Sequence, residues 1–333
     1  MTNTDRRTQV DASSQLAMLV GRWRSEGHVV ADPSIRIRGT DTYVLFAGGH
    51  CLVHYVDVLV GNAPVQAIEL ITPHPDESRF SARAYDNVGM ITAMQARVDQ
   101  EGVWTFTGGA EVAAAAQPDT ASPTGAVRST LTVGGDRQRM HADWERTDDG
   151  SNWQPWMIMD FTLDDDPPVT EASAYEAVRW AGGPAESAPV ELRRLAALAG
   201  RWRWTGRSRT GDFAVHGETE LRWLPGGHFL VERGLLQSTG VTIRSLAVTG
   251  WDAERRDCVA DYVDSDGAEE SYRLGVADNE LIINWPRFRF AGRFAESGDV
   301  ITGTWESSPD GSSWEHWYDA EITLFPRPIS SVD

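Results

Sequence analysis

The 333-residue sequence predicts an all-β protein built from two tandem antiparallel β-barrels, each opened by a short helix. Three observations carry this reading. One module occurs twice. Within each copy, short stretches of alternating apolar and polar residues are separated by Gly, Asp and Pro turns, which is the pattern of half-buried strands. No long helical pattern lies between those stretches to make parallel crossovers. An antiparallel meander with one apolar face must cover that face, and closing into a barrel also removes its edges.

The duplication is explicit. Leu16-x-x-Leu19-Val20-Gly21-Arg22-Trp23-Arg24 returns as Leu195-x-x-Leu198-Ala199-Gly200-Arg201-Trp202-Arg203. Gly48-Gly49-His50-Cys51-Leu52-Val53 returns as Gly226-Gly227-His228-Phe229-Leu230-Val231, and Asp86-Asn87-Val88-Gly89 as Asp264-Ser265-Asp266-Gly267. Trp144-Glu145, followed by Asp149-Gly150-Ser151-Asn152-Trp153-x-x-Trp156, returns as Trp305-Glu306, followed by Asp310-Gly311-Ser312-Ser313-Trp314-x-x-Trp317. These matches divide the chain into a polar tail (1–14), a first barrel (15–164), a linker (165–189), a second barrel (190–326) and a closing tail (327–333). The opening helix is clearest in copy two, where Leu192, Leu195 and Leu198 share a face and Gly200 ends it. Copy one carries extra residues between Gly108 and Gly125, read as a surface loop or as a cover over one barrel mouth.

Composition excludes several functions. A formal charge of −19 opposes nucleic acid and anionic membranes, both of which are bound by basic groups. No apolar run is long enough to span a bilayer, and the start lacks the apolar core of a secretion signal, so the expected location is the cytoplasm. Cys51 and Cys258 fall in different copies without metal or redox spacing and read as packed thiols. All 30 basic residues are arginine. The absence of lysine rules out Schiff-base chemistry and a Walker-type phosphate loop.

A short helix leading to Gly-x-Trp on the first strand (Gly21-Arg22-Trp23, Gly200-Arg201-Trp202) resembles the calycin, or lipocalin-like, β-barrels. The Gly-Gly-His-x-Leu-Val strand and the Asp-Gly-x-x-Trp hairpin are similar to an uncharacterised bacterial branch of that superfamily. The resemblance implies a cup holding a small, largely apolar molecule, with Trp23 and Trp202 plugging the closed ends. It implies no activity, because one fold serves many functions. No cofactor is expected; a haem held by one barrel histidine, as in some relatives of the calycins, is the alternative.

Strand alternation then shows what lines each cup. On the last strand of copy one, Trp153, Pro155, Met157, Met159, Phe161 and Leu163 share the face expected inward. The matching set in copy two is Trp314, His316, Tyr318, Ala320, Ile322 and Leu324, so His316 and Tyr318 replace Pro155 and Met157. On the Gly-Gly-His strand the inward sets are His50, Leu52, His54, Val56 and Val58, and His228, Leu230, Glu232, Gly234 and Leu236. Tyr262 is expected inward, as is Arg244, placed to pair with Glu232 or to meet an anionic group of a ligand. Trp156 and Trp317 are expected on the outer face, where they suit packing against the other barrel, the linker or a second subunit, the last as in a homodimer.

The second cup therefore reads as the better-equipped one. His316, Tyr318, Glu232 and His228 are its candidate proton-transfer groups. Arg244, Tyr262, Trp305, Trp314 and Leu230 are candidate ligand contacts, with His50 and His54 as their counterparts in cup one. No metal site is expected: His50 and His54 stand roughly 13 Å apart on an extended strand, too far to share one ion. The resulting expectation is a barrel binding a small hydrophobic molecule as a cofactor-independent cyclase or isomerase. A non-catalytic carrier or sensor, and a pair of filled scaffold barrels, are the other readings.

Overall fold

The computed structural model describes residues 12–74, 79–111, 125–164 and 167–325. The chain divides into two compact units, Met1–Trp180 and Ala181–Asp333. The division falls inside the stretch read as a linker. Part of that stretch is a helix, and it packs on the first barrel.

Each unit is a closed antiparallel barrel of ten strands in simple up-and-down order. The first comprises β1 (Gly21–Val29), β2 (Asp32–Leu45), β3 (Leu52–Val60), β4 (Ala63–Pro73), β5 (Arg79–Asp86), β6 (Ile91–Val98), β7 (Val103–Glu111), β8 (Ala126–Val133), β9 (Arg139–Thr147) and β10 (Gln154–Leu163). The second comprises β11 (Gly200–Arg207), β12 (Ala214–Trp223), β13 (Leu230–Ser238), β14 (Val241–Asp252), β15 (Asp257–Asp264), β16 (Glu269–Ala277), β17 (Glu280–Asn284), β18 (Phe288–Phe294), β19 (Val300–Ser307) and β20 (Glu315–Leu324). Pairing of β1 with β10 and of β11 with β20 closes the two rings.

The helical elements follow the sequence reading. Residues 12–16 form a short helix (α1) ahead of β1. Helix α2 (Glu171–Ala177) starts at a capping box between Thr170 and Ser173 and packs on β2. Helix α3 (Val190–Arg194) runs into a 3₁₀ turn over Leu195–Leu198 ahead of β11. Among the described residues, no helix is long and apolar enough to cross a membrane.

The same device shuts one end of each barrel. Trp23 and Trp202 are 1% and 2% exposed. The Trp23 indole donates to the Leu19 carbonyl at 2.9 Å, and the Trp202 indole to that of Leu198 at 2.7 Å. The preceding glycine is needed for this approach. Gly21 and Gly200 hold φ of +149° and +139°, and a Cβ on either would meet a Leu163 or Leu324 methyl at 2.5 or 2.9 Å. Leu16, Leu19, Leu52, Ile71, Phe80 and Trp104 pack around the first plug. Leu195, Leu198, Leu230, Cys258 and Phe290 surround the second.

The far ends are open. There the β9–β10 and β19–β20 hairpins turn on Asp149 and Asp310, each of which accepts two backbone N–H groups of its own turn. Asp86 and Asp264 hold their turns in the same way, as their acidic side chains suggest. The length difference between the copies falls at the open end, where β7–β8 stands in for β17–β18. The predicted loop or cover itself, residues 112–124, lies outside the described residues.

Trp23→Phe and Trp202→Phe each leave a buried carbonyl unpaired and remove ring volume. Each substitution should cost about 1–3 kcal/mol in denaturant unfolding.

Candidate functional site

Register decides which side chains enter each cup. In barrel one β3 sends Leu52, His54, Val56 and Val58 inward. His54 stands opposite Tyr43 of β2 and Glu69 of β4. Asp41 shares the inner face of β2 with Tyr43 and pairs with Trp23 on β1, whose next inward residue is Ser25. One ionic network therefore lies just above the Trp23 plug. The two nitrogens of His54 stand 2.8 Å from Asp41 Oδ1 and 2.8 Å from Glu69 Oε2. Ser25 Oγ donates to Asp41 Oδ2. The Tyr43 ring stacks on the imidazole with centroids 3.8 Å apart and planes 9° from parallel. Asp41, Tyr43, His54 and Glu69 are all 5–7% exposed, and Ser25 is fully buried.

Burial alone would strip the His54 proton, but hydrogen bonds and charge from Asp41 and Glu69 outweigh it and raise the pKa to about 9. Tyr43 is pushed well above its ordinary value, first by burial and then by the same two acids, and stays neutral.

Barrel two carries a different floor at the same register positions. Glu232 takes the place of His54, opposite Leu221 and Ala247, and Thr219 takes that of Asp41. Tyr272 of β16 reaches across and donates to Glu232 Oε2 at 3.2 Å. Burial raises the Glu232 carboxyl to about 7, and the tyrosine bond offsets part of that rise. Aromatic rings line the cup. Tyr272 stacks on Trp285 at 4.2 Å, and Tyr262 meets Trp285 edge-on at 4.7 Å. Trp204, Phe290 and Trp305 form a second wall that continues to Tyr318. Inward-facing Trp204, Glu232, Ser245, Tyr262 and Trp285 keep accessible surface.

Several predicted positions hold. Leu230 (0% exposed), Trp305 (9%) and Tyr318 (5%) are inward and buried. Tyr262 is inward as well, and its hydroxyl donates to Asp264 at 3.2 Å. Burial raises the Tyr318 hydroxyl above its usual value.

Other positions are corrected. His316 faces outward and binds Asp319 Oδ1 at 2.9 Å on the outer wall. Trp314 is also outside, covered by the Arg289 guanidinium at 4.5 Å, while Arg289 pairs with Glu306. The cause is a β-bulge: Trp305 opposes Tyr318, but Glu306 opposes His316, so Trp317 is an extra residue that reverses the alternation before it. Barrel one repeats this at Trp156, with Arg128 over Trp153 in place of Arg289 over Trp314. Consequently Trp156 and Trp317 are not outer-face residues. Trp156 packs on the core, and Trp317 stacks with Phe288 at the open rim. Arg244 is exposed and opposes Leu235, on the other face from Glu232, so the expected ion pair does not form.

His50 and His228 sit in the matched turns before β3 and β13, apart from both floors. Burial lowers the His228 pKa, and its Nδ1 has no hydrogen-bond partner. His54 is the one histidine that a described strand turns into a barrel. Both its nitrogens are committed to carboxylates. No group of three or more metal-ligating side chains forms a candidate metal site among the described residues. A concavity of about 630 Å³ lies on the outer wall of β11, β12, β19 and β20, lined by Thr205, Arg207, His216, Thr304 and Asp319. It is open to solvent and separate from the cups.

No protein-family model and no curated relative matches the sequence. Among solved structures, the chain is similar to Rv2717c from M. tuberculosis, at 12% identity over 46% of this chain and 97% of that one, with a TM-score of 0.36. It is also similar to a protein of unknown function from the DUF3598 family of Nostoc punctiforme, at 12% identity over 94% and 99% of the two chains (TM-score 0.28). Kievitone hydratase from Nectria haematococca aligns over 94% and 91% at 9% identity (TM-score 0.17). Likeness this loose carries no argument about site or activity.

The His54 network has a measurable signature. Its pKa is raised on folding, so its stabilisation is complete below pH 6.5 and is lost as pH rises through about 9. The first barrel should lose about 3 kcal/mol between those limits, read by denaturant unfolding across pH. His54→Gln should flatten that dependence.

Proposed function

We propose that the second barrel binds a small, largely apolar molecule and acts on it as a cofactor-independent isomerase or cyclase, with Glu232 as the proton-transfer group. The observation that carries this reading is the inward Glu232 carboxyl, raised to about 7 at the floor of an aromatic-lined cup whose upper side chains keep accessible surface. A carboxyl poised near neutral pH can both take and return a proton. Tyr272 fixes its orientation. The aromatic wall supplies the dry, shaped surface that holds an apolar substrate in one pose. In a proton shift, the Glu232 carboxylate takes a proton from an acidic carbon of the ligand and returns it to the same or a neighbouring carbon, so no redox partner is required. His316 and Arg244, on the outer wall, take no part. A carrier that binds without reaction shares the cup and differs in the role of Glu232.

Both readings are separated by hydrogen exchange on α-tetralone, an apolar aromatic ketone, in deuterated water. The protein should catalyse α-deuteration with a rate that rises through an ionisation near pH 7. Glu232→Gln should lower that rate roughly 10²-fold or more, and His316→Ala should leave it unchanged. Binding of the fluorescent probe N-phenyl-1-naphthylamine should persist in Glu232→Gln and be lost in Ser245→Trp, which fills the cup. Probe binding without exchange in the unmodified protein makes it a carrier. A solid cup that binds neither compound defeats both readings.

A further inference from the structure

We propose that the first barrel is a second, independent binding site, selective for a small apolar molecule that carries a protonated amine. The floor of cup one brings two carboxyl groups, Asp41 and Glu69, against one basic group, His54. This leaves an excess of one acid in a place shielded from solvent. Arg146, also at an inward register position, is exposed at the open rim and does not balance that floor.

Two polar atoms in the floor are not used by the protein. Glu69 spends Oε2 on His54 and leaves Oε1 without a partner among the described residues. The Tyr43 hydroxyl likewise makes no hydrogen bond among them, although Tyr43 is only 7% exposed. Neither atom is sealed off, so a group entering the cup can reach and satisfy both. Both belong to side chains on the inner face, at directly opposed positions on either side of His54.

Above them, Val56, Val65, Ala67, Trp144 and Met157 face inward and keep accessible surface, giving an apolar shaft leading down to the acidic floor. An ammonium group fits this floor best. It donates to Glu69 Oε1 and to the tyrosine oxygen, and it offsets the unbalanced acid. A carboxylate or phosphate would meet Asp41 and Glu69 with no free cation to receive it. A neutral hydroxyl would satisfy the hydrogen bonds and leave the charge unmatched. The site is unlike cup two, where Thr219 and Ala247 replace both acids, and it stands whether or not Glu232 is catalytic.

Isothermal titration calorimetry of the full chain with three probes of equal chain length tests this: n-octylamine, 1-octanol and octanoate. Octylamine should saturate one site and bind at least tenfold more tightly than octanol, and octanoate should not bind there. Val56→Trp, which fills the shaft above the floor, should abolish octylamine binding. Glu69→Gln should weaken it at least tenfold. Tyr43→Phe keeps the ring stacked on His54 and removes only the hydroxyl, so it should weaken binding about three- to tenfold even if Glu69→Gln disturbs the fold. Octanol or octanoate binding as tightly as the amine overturns the proposal. So does octylamine binding that survives Val56→Trp, or no saturable octylamine binding at millimolar concentration.

Discussion

Closure of each sheet on itself is the constraint from which everything else in the two units follows. Once β1 pairs with β10 and β11 with β20, every strand has two neighbours and one inner face. No edge remains to slip, and a shift by one residue would expose a whole set of apolar side chains. The inward positions are thereby fixed well enough to hold groups that would be costly elsewhere: a histidine between two acids in one barrel, and a buried carboxyl bonded to a tyrosine in the other. The Gly-x-Trp plug works with closure by sealing one end, so that each floor sits on packed side chains.

The two floors show how one scaffold supports different electrostatics. In the first barrel, two acids outweigh burial and keep an imidazolium charged. In the second, the acid positions have become Thr219 and Ala247, so burial acts on Glu232 with only a tyrosine hydroxyl to oppose it. The same depth and the same neighbouring strands thus move a basic group and an acidic group upward for opposite reasons. One is stabilised by partners, and the other is left without a cation.

Much of this was legible in the sequence. The duplication gave the domain count, and the Gly-x-Trp repeats located both plugs. Alternation placed His54, Glu232, Tyr262 and Tyr318 on the inner face. Alternation failed where the strand is irregular: one added residue at Trp156 and at Trp317 reversed the expected faces of Trp153, Pro155, Trp314 and His316, and a two-residue period has no means of showing a bulge. Arg244 was misplaced because β14 was phased from the wrong residue. Asp41 and Glu69 lie on the strands next to β3, but alternation alone does not give the register that sets them beside His54, and Tyr272 is three strands along from Glu232. Glu69 did carry a signal, as the single charged residue in the apolar run Ala67-Ile68-Glu69-Leu70-Ile71. Asp41 and Tyr272 are recognisable only once pairing brings them beside their partners.

The bulge also bears on how such a barrel can diverge. It confines a change of phase to the few residues between the hairpin and Trp317, while Tyr318, Ala320 and Ile322 keep their places in the wall. Relocating that extra residue into the hairpin turn, so that Trp317 opposes Glu306, would exchange the outer set, Trp314 and His316, for an inner one without disturbing the rest of the strand. An imidazole now held by Asp319 at the surface would then enter the cup. A shift in the position of the bulge at the rim can therefore rewrite the chemistry of the interior, a route to new function that substitutions along a regular strand do not offer.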